Sequence, residues 1–218
     1  MHHAIVLMGP SGIGKGTQAV ILKEKHGYNH FVMSDHLKKI EACKKIIDAG
    51  RLVPDELTID TALHALPDKL PAFITFDGIP RSLGQAQWLV DHLSASECRV
   101  CVIDMRVDID IAIKRIVKRV TEAEKSTDPN RLVREDDKNP EAVRRKLNKY
   151  YEEYGTVVAN YLRKRMVACG AYYEIDATPE IPDVARTISG IIRKEHSIMR
   201  FHNEESRQFS AQTVPVMG

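Results

Sequence analysis

No stretch of this chain is apolar for anything near the roughly 20 residues that crossing a bilayer requires, which excludes a spanning helix and a membrane partner of that kind. The first residues run straight into an apolar strand pattern, without the charged and then apolar lead of a signal peptide, so a cytoplasmic location is expected. Cysteine is scarce: Cys43, Cys98, Cys101 and Cys169 are too few for a secreted disulfide framework. Cys98-Arg99-Val100-Cys101 has the gap of zinc and redox pairs, but it has no second pair and leads into a strand, so packing is its expected role. The nine histidines show no ligand spacing such as H-E-x-x-H, and His2 and His3 are too few for an expression tag, so no zinc is expected. An excess of one charge is also missing. Lys and Arg number 32 against 30 Asp and Glu, a net charge of +2, too balanced to demand a nucleic-acid partner, so any basic patch must be local. There is no internal repeat. With 43% hydrophobic residues in 218, what remains is a globular chain with one sizeable core. A monomer acting on small molecules is the expected state, which composition itself does not set.

What is there begins at the N-terminus. Ala4-Ile5-Val6-Leu7-Met8 suits a strand covered on both faces, and Gly9-Pro10-Ser11-Gly12-Ile13-Gly14-Lys15-Gly16-Thr17 comes directly after it. Glycines in that loop let several backbone N–H groups turn toward one anion, a helix beginning near Lys15 adds its positive end, and Lys15 adds a mobile charge for β- and γ-phosphates. The expected ligand is a nucleotide, held by Gly12, Ile13, Gly14, Lys15, Gly16 and Thr17. Gly16 stands where the common phosphate-binding loop has Ser or Thr for magnesium, with Thr17 one position late, which argues against direct metal ligation by that hydroxyl.

Further strand-like runs at Asn29–Met33, Phe73–Phe76, Val100–Met105 and Tyr172–Ile175 alternate with helical patterns, the signature of a five-stranded parallel sheet wound on both faces. Ligands then gather at the strand C-termini, where Gly9, Ser34-Asp35, Asp77-Gly78 and Asp176 would line one crevice. A long helix is expected from Pro140 to Val167, capped by Asn139, with Val143, Leu147, Tyr150, Tyr154, Val157 and Tyr161 as its buried face. Ile109, Ile113, Ile116 and Val120 form the stripe of a preceding helix, leaving Arg115 and Arg119 together on another face, where two cations repel unless an anion lies between them. Residues 121–137 read as a short polar lid, and the stretch from His196 to Gly218 as a loosely held tail.

Four segments beyond the glycine loop complete an order that resembles the adenylate kinase family of nucleoside monophosphate kinases. Gly14-Lys15-Gly16-Thr17-Gln18 is similar to that family's loop, displaced threonine included, and Phe76-Asp77-Gly78-Ile79-Pro80-Arg81 to its Asp-Gly-Phe-Pro-Arg signature, with Gln85 at the family's interval. Gly50-Arg51-Leu52-Val53-Pro54-Asp55 resembles the monophosphate-site turn, and Arg134-Glu135-Asp136-Asp137 the Arg-x-Asp-Asp element that closes the lid. The likeness spans residues 4 to 195 and implies one P-loop kinase domain over 1–195, with a core of 1–33, 68–120 and 138–195, a monophosphate-binding insert at 34–67 and a lid at 121–137.

The resemblance implies reversible transfer of the γ-phosphoryl group of ATP to a nucleoside monophosphate, usually AMP. Lys15, Arg81, Arg119 and Arg134 would be the catalytic cations, with Arg145 or Lys146 as the last of them, and Arg115 would lie over the ATP base. Met33, Ser34, Lys38, Leu52, Val53, Gly78, Arg81 and Gln85 would form the monophosphate site, Gln85 reading the base edge, and Asp77 would hold Mg²⁺ through its waters. Arg51 and Arg131 are assigned to the surface. Departures are visible: Lys38 stands for an arginine that grips the monophosphate, losing the planar fork, and Met33 for a threonine beside the base. Arg144-Arg145-Lys146-Leu147 stands where the family ends Arg-Leu. These departures leave two alternatives: a kinase for UMP, CMP or another monophosphate, and a decayed kinase that binds nucleotide without transferring phosphate. The insert and lid are the expected moving parts; spectroscopic labels on them that do not approach each other when a linked dinucleotide is added would contradict closure.

Overall fold

The computed structural model describes residues 2–49, 51–125 and 135–212. Five parallel strands, β1 (His2–Met8), β2 (Asn29–Val32), β3 (Phe73–Asp77), β4 (Cys98–Arg106) and β5 (Gly170–Asp176), form one sheet in the order β2-β3-β1-β4-β5. The chain winds from β1 toward one edge and then crosses to the other, so the strand order reverses at β1, and the crevice of such a sheet opens there. β1, β3, β4 and β5 run slightly longer than their apolar runs because flanking residues continue the pairing, as where His2 and His3 pair with Cys98 and Arg99, whereas β2 ends one residue early because Met33 opens the next helix.

Helices cover both faces. α1 (Lys15–His26) lies on one; α2 (Met33–Leu37), α3 (Glu41–Asp48) and α4 (Asp55–Ala65) form the excursion between β2 and β3; α5 (Leu83–Ala95) and α6 (Ile109–Glu124) flank β4. α7 (Pro140–Lys149), a π-helical turn at Tyr150–Tyr154, and α8 (Gly155–Cys169) precede β5, and α9 (Ile181–Gln212) ends the described chain. Alternate residues of the central strands feed separate cores. Val6, Val100 and Val102 pack with Leu89, Leu93 and Leu162, whereas Ile5, Ile103 and Met105 pack with Leu22, Ile116 and Ile188. Each such fully buried aliphatic chain contributes about 1.5–3 kcal/mol. Cys98 and Cys101 are three apart on β4 and therefore face opposite cores as buried free thiols, the packing role expected of them.

Several expectations are corrected. The helix from Pro140 keeps Asn139 as its cap, with the side chain accepting from Glu141 and Ala142 N–H groups at 3.0 and 3.3 Å, but it is not one regular helix. The π turn adds a residue and rotates α8 relative to α7 by roughly 100°. The buried stripe of α8 is Val158, Ala159, Leu162 and Met166, and Val157, expected inside, is 47% exposed. α6 continues to Glu124, so residues 121–124 belong to that helix; most of the expected lid, with Arg131 and Arg134, lies outside the described residues, and Glu135–Lys138 form a 3-10 turn. The expected tail from His196 is instead the last part of α9, helical to Gln212, with Met199 buried and the His196 ring stacked on Tyr28. Among the described residues no helix is long and apolar enough to cross a membrane.

Candidate active site

The loop after β1 turns sharply enough to need glycine. Gly12 has φ +82°, and a Cβ there would stand 2.3 Å from Ile116 Cγ1, so a side chain is excluded by backbone and core alike. Ile13 is buried, leaving the loop's polar face to main-chain groups. Gln18 N–H closes the first turn of α1 onto Gly14 O at 3.0 Å, so the N–H groups of Gly16 and Thr17 lie at the open, electropositive helix end. Lys15 folds over the loop and donates to Gly9 O at 2.7 Å and Pro10 O at 2.8 Å.

A cavity of about 570 Å³ opens beside this loop, at the C-terminal ends of β1 and β3. Lys15, Arg51, Arg81, Arg145, Lys146 and Lys149 line it, and among the described residues no carboxylate does. In a chain with nearly balanced charge, six cations around one cavity make a local field that draws anions. Ser34, Leu52, Val53, Gly78 and Gln85 share this lining. Arg51, assigned to the surface from sequence, is exposed and also borders the cavity. Both Arg145 and Lys146 reach the cavity, while Arg144 leaves it to pair with Asp110.

Other expected residues lie around rather than in the cavity. Met33 is buried under Gly78, and Lys38 ends α2 without joining the lining. Arg115 and Arg119 diverge. Arg115 donates to the carbonyls of Ala177, Thr178 and Pro179 at 2.6, 2.7 and 3.1 Å, on the turn that leaves β5. Arg119 donates to Asp137 Oδ2 at 2.6 Å, and Lys146 Nζ approaches Oδ1 of the same carboxylate at 3.4 Å. The buried Asp137 therefore holds two of the expected catalytic cations side by side. Arg134 lies outside the described residues.

Asp77 ends β3 with its carboxylate directed at α1: a Cβ on Gly16 would be 3.6 Å from Oδ2, and His30 Nε2 lies 3.7 Å from the same oxygen. Burial alone raises the acid's pKa, but His30, Lys15 and Arg81 outweigh it and hold the group below the ordinary carboxylate range. Among the described residues no cluster of three metal-ligating side chains exists. One ionised carboxylate beside a phosphate-binding loop fits a Mg²⁺ that keeps its waters and takes phosphate oxygens as its remaining ligands.

Two positions escaped sequence reasoning. The Tyr150 hydroxyl accepts the Gly9 N–H at 2.9 Å, pinning the first glycine of the loop from 141 residues away. Gly155 makes that possible, since a Cβ there would stand 2.7 Å from the Tyr150 ring. Asp55 accepts from Gln85 Nε2 at 2.9 Å and from Ser82 Oγ at 2.7 Å. The spacing offers no signal for either.

The adenylate kinase family model matches residues 7–166, which includes the glycine loop, the cavity wall and Asp137. An adenylate kinase of Salinibacter ruber is 31% identical over 202 residues, covering 83% of this chain and 93% of that protein. One from a Chelativorans species is 34% identical over 201 residues, covering 87% and 98%, and one from Brucella melitensis 36% over 168 residues, covering 72% and 84%. A phosphate-binding loop, a cation-lined cavity at the strand ends and this extent of shared sequence agree: the chain belongs to the adenylate kinase family of phosphotransferases.

Proposed function

We propose that the protein transfers the γ-phosphoryl group of ATP to AMP, reversibly, giving two ADP. The observation that carries this reading is the set of six cations around the cavity without a carboxylate among the described lining residues. Transfer between two polyanions needs no general base, because the acceptor phosphate oxygen is already ionised; it needs fixed positive charge and in-line placement. Lys15 would hold the β- and γ-phosphates at the loop, and Arg81 the acceptor phosphate. Arg119 and Lys146, held together by Asp137, would neutralise the group in transfer, with Arg145 lining the same cavity. Arg134, outside the described residues, would join them. Arg115 would bound the ATP base against the turn after β5. Ser34, Leu52, Val53 and Gln85 would enclose the acceptor nucleoside, with Met33 and Lys38 behind them. Bound with ATP, Mg²⁺ supplies charge neutralisation, and Asp77 would hold its water shell.

Initial rates with ATP and AMP, CMP, UMP or GMP at equal concentration test the reading. AMP is expected to rank first with two ADP formed per turnover. Another acceptor ranking above AMP would reassign the base pocket, and nucleotide binding without any ADP formed would identify a binding protein on a kinase fold.

A further inference from the structure

Resting on that reading of the cavity, we propose that Asp55 is a positioning residue that locks the Gln85 amide in one orientation. Through that lock the site would select acceptor bases bearing an exocyclic amino group over those bearing an oxo group. The two ends of a glutamine amide have nearly the same shape and differ only in whether they donate or accept. Gln85 is buried, and both ends are engaged. Oε1 accepts the Arg81 backbone N–H at 2.8 Å, and Nε2 donates to Asp55 Oδ1 at 2.9 Å. A backbone N–H only donates and an ionised carboxylate only accepts, so turning the amide over would set donor against donor and acceptor against acceptor.

Asp55 is itself held. Its Oδ2 accepts from Ser82 Oγ at 2.7 Å, and a Cβ on Gly84 would stand 2.7 Å from that oxygen, so the bare backbone at Gly84 is what admits the carboxylate to the start of α5. Asp55 opens α4 while Gln85 belongs to α5, so one carboxylate joins the excursion between β2 and β3 to the residue expected to meet the base.

After these bonds Oε1 keeps one lone pair and Nε2 one hydrogen. Adenine presents an amino donor beside the N1 acceptor; hypoxanthine, of almost identical shape, presents an oxo acceptor beside an N1–H donor. A locked amide pairs with both atoms of one base and mispairs with both atoms of the other, whereas a free amide turns over and serves either.

The test is the ratio of AMP to IMP affinity, measured by titration calorimetry on the full chain, with turnover read separately. The wild type is expected to prefer AMP by at least about 100-fold. Asp55→Asn should reduce that preference by about tenfold or more, because an asparagine amide can accept or donate. Should that variant fail to fold, Gly84→Ala displaces the carboxylate from the other side and should reduce the ratio in the same direction. Ser82→Ala, which removes the α5 cap and one of the holds on Asp55, should lower Tm and reduce the ratio less than Asp55→Asn, because the Asp55 Oδ1 bond to Gln85 remains; a merely structural contact would weaken AMP and IMP alike. A wild-type ratio near one, or an unchanged ratio in Asp55→Asn and Gly84→Ala, overturns the lock. No turnover with the ratio behaving as expected overturns the kinase reading and upholds the lock.

Discussion

The two ends of the sheet are both rich in ionisable side chains, yet they are wired in opposite ways. At the C-terminal ends of β1 and β3, six cations line one cavity with no carboxylate among the described lining residues. At the opposite end the buried charges are matched within the protein, while His3 Nε2 has no hydrogen-bond partner among the described residues. Glu195, fully buried, accepts from Arg99 Nε and Tyr173 OH, each at 2.7 Å. The Tyr28 hydroxyl lies between His3 Nδ1 and His196 Nε2, and α9 is thereby fixed to the sheet. A closed network is what packing needs; cations gathered around a cavity draw an anionic ligand into it.

Breaking the open end should affect rate without affecting the fold. Lys15→Met is expected to lower kcat about 10³-fold, equivalent to about 4 kcal/mol, with Tm unchanged in a thermal melt. A near-normal rate would remove Lys15 from the transfer.

Breaking the closed end should do the reverse, and pH is the lever. Burial first, then the neighbouring His196 and Arg99, lower the His3 pKa from 6.5 to about 4, against an opposing pull from Glu195. Its Nε2 is buried without a hydrogen-bond partner among the described residues, so protonation would create a donor with nothing to accept it. The unfolded chain therefore binds the proton more readily than the folded one between pH 6.5 and 4. Stability should rise with pH across that window, by about 3 kcal/mol in all for this group, and be lost on acidification. Denaturant melts at pH 7.5 and 4.5 measure it; a His3→Gln variant should show a smaller difference, and an equal difference would place the acid sensitivity elsewhere.

Smaller effects sharpen the boundary between the two ends. Tyr150→Phe leaves the Gly9 N–H without its acceptor and is expected to cost about 1 kcal/mol and raise the KM for ATP severalfold. Gly155→Ala should act in the same direction by displacing the ring. Arg51→Ala, at an exposed position on the cavity wall, should raise the acceptor KM about threefold and leave stability within about 0.5 kcal/mol. An unchanged KM would return Arg51 to the surface role its sequence context suggested.

What was legible in the sequence was local. Five apolar runs, the glycines before Lys15 and the Asn139-Pro140 start each declare themselves within a few residues, because strand burial, phosphate loops and helix caps are set by neighbours in the chain. Pairings that depend on distant segments left no such trace. Tyr150 reads as one more aromatic on a helical stripe until the fold brings it to Gly9, and Asp137 reads as the end of the lid element, with nothing to mark it as the acid on which Arg119 and Lys146 meet. The π turn was equally hidden: it shifts the helical phase by one residue, and so exposes Val157 where a regular helix would bury it. The length of α9 is hidden in the sequence because its anchors, His196 against Tyr28, His3 and Phe73 and the buried Met199, stand on an otherwise polar run.

Whether the open end passes phosphate between two nucleotides can be read most directly by tracking the group itself. With ATP labelled at the γ-phosphate and unlabelled AMP, the label is expected in the β-phosphate of newly formed ADP, with two ADP formed for each ATP consumed and none of this in Lys15→Met. Label released as inorganic phosphate, or retained in ATP while both nucleotides are bound, would contradict it.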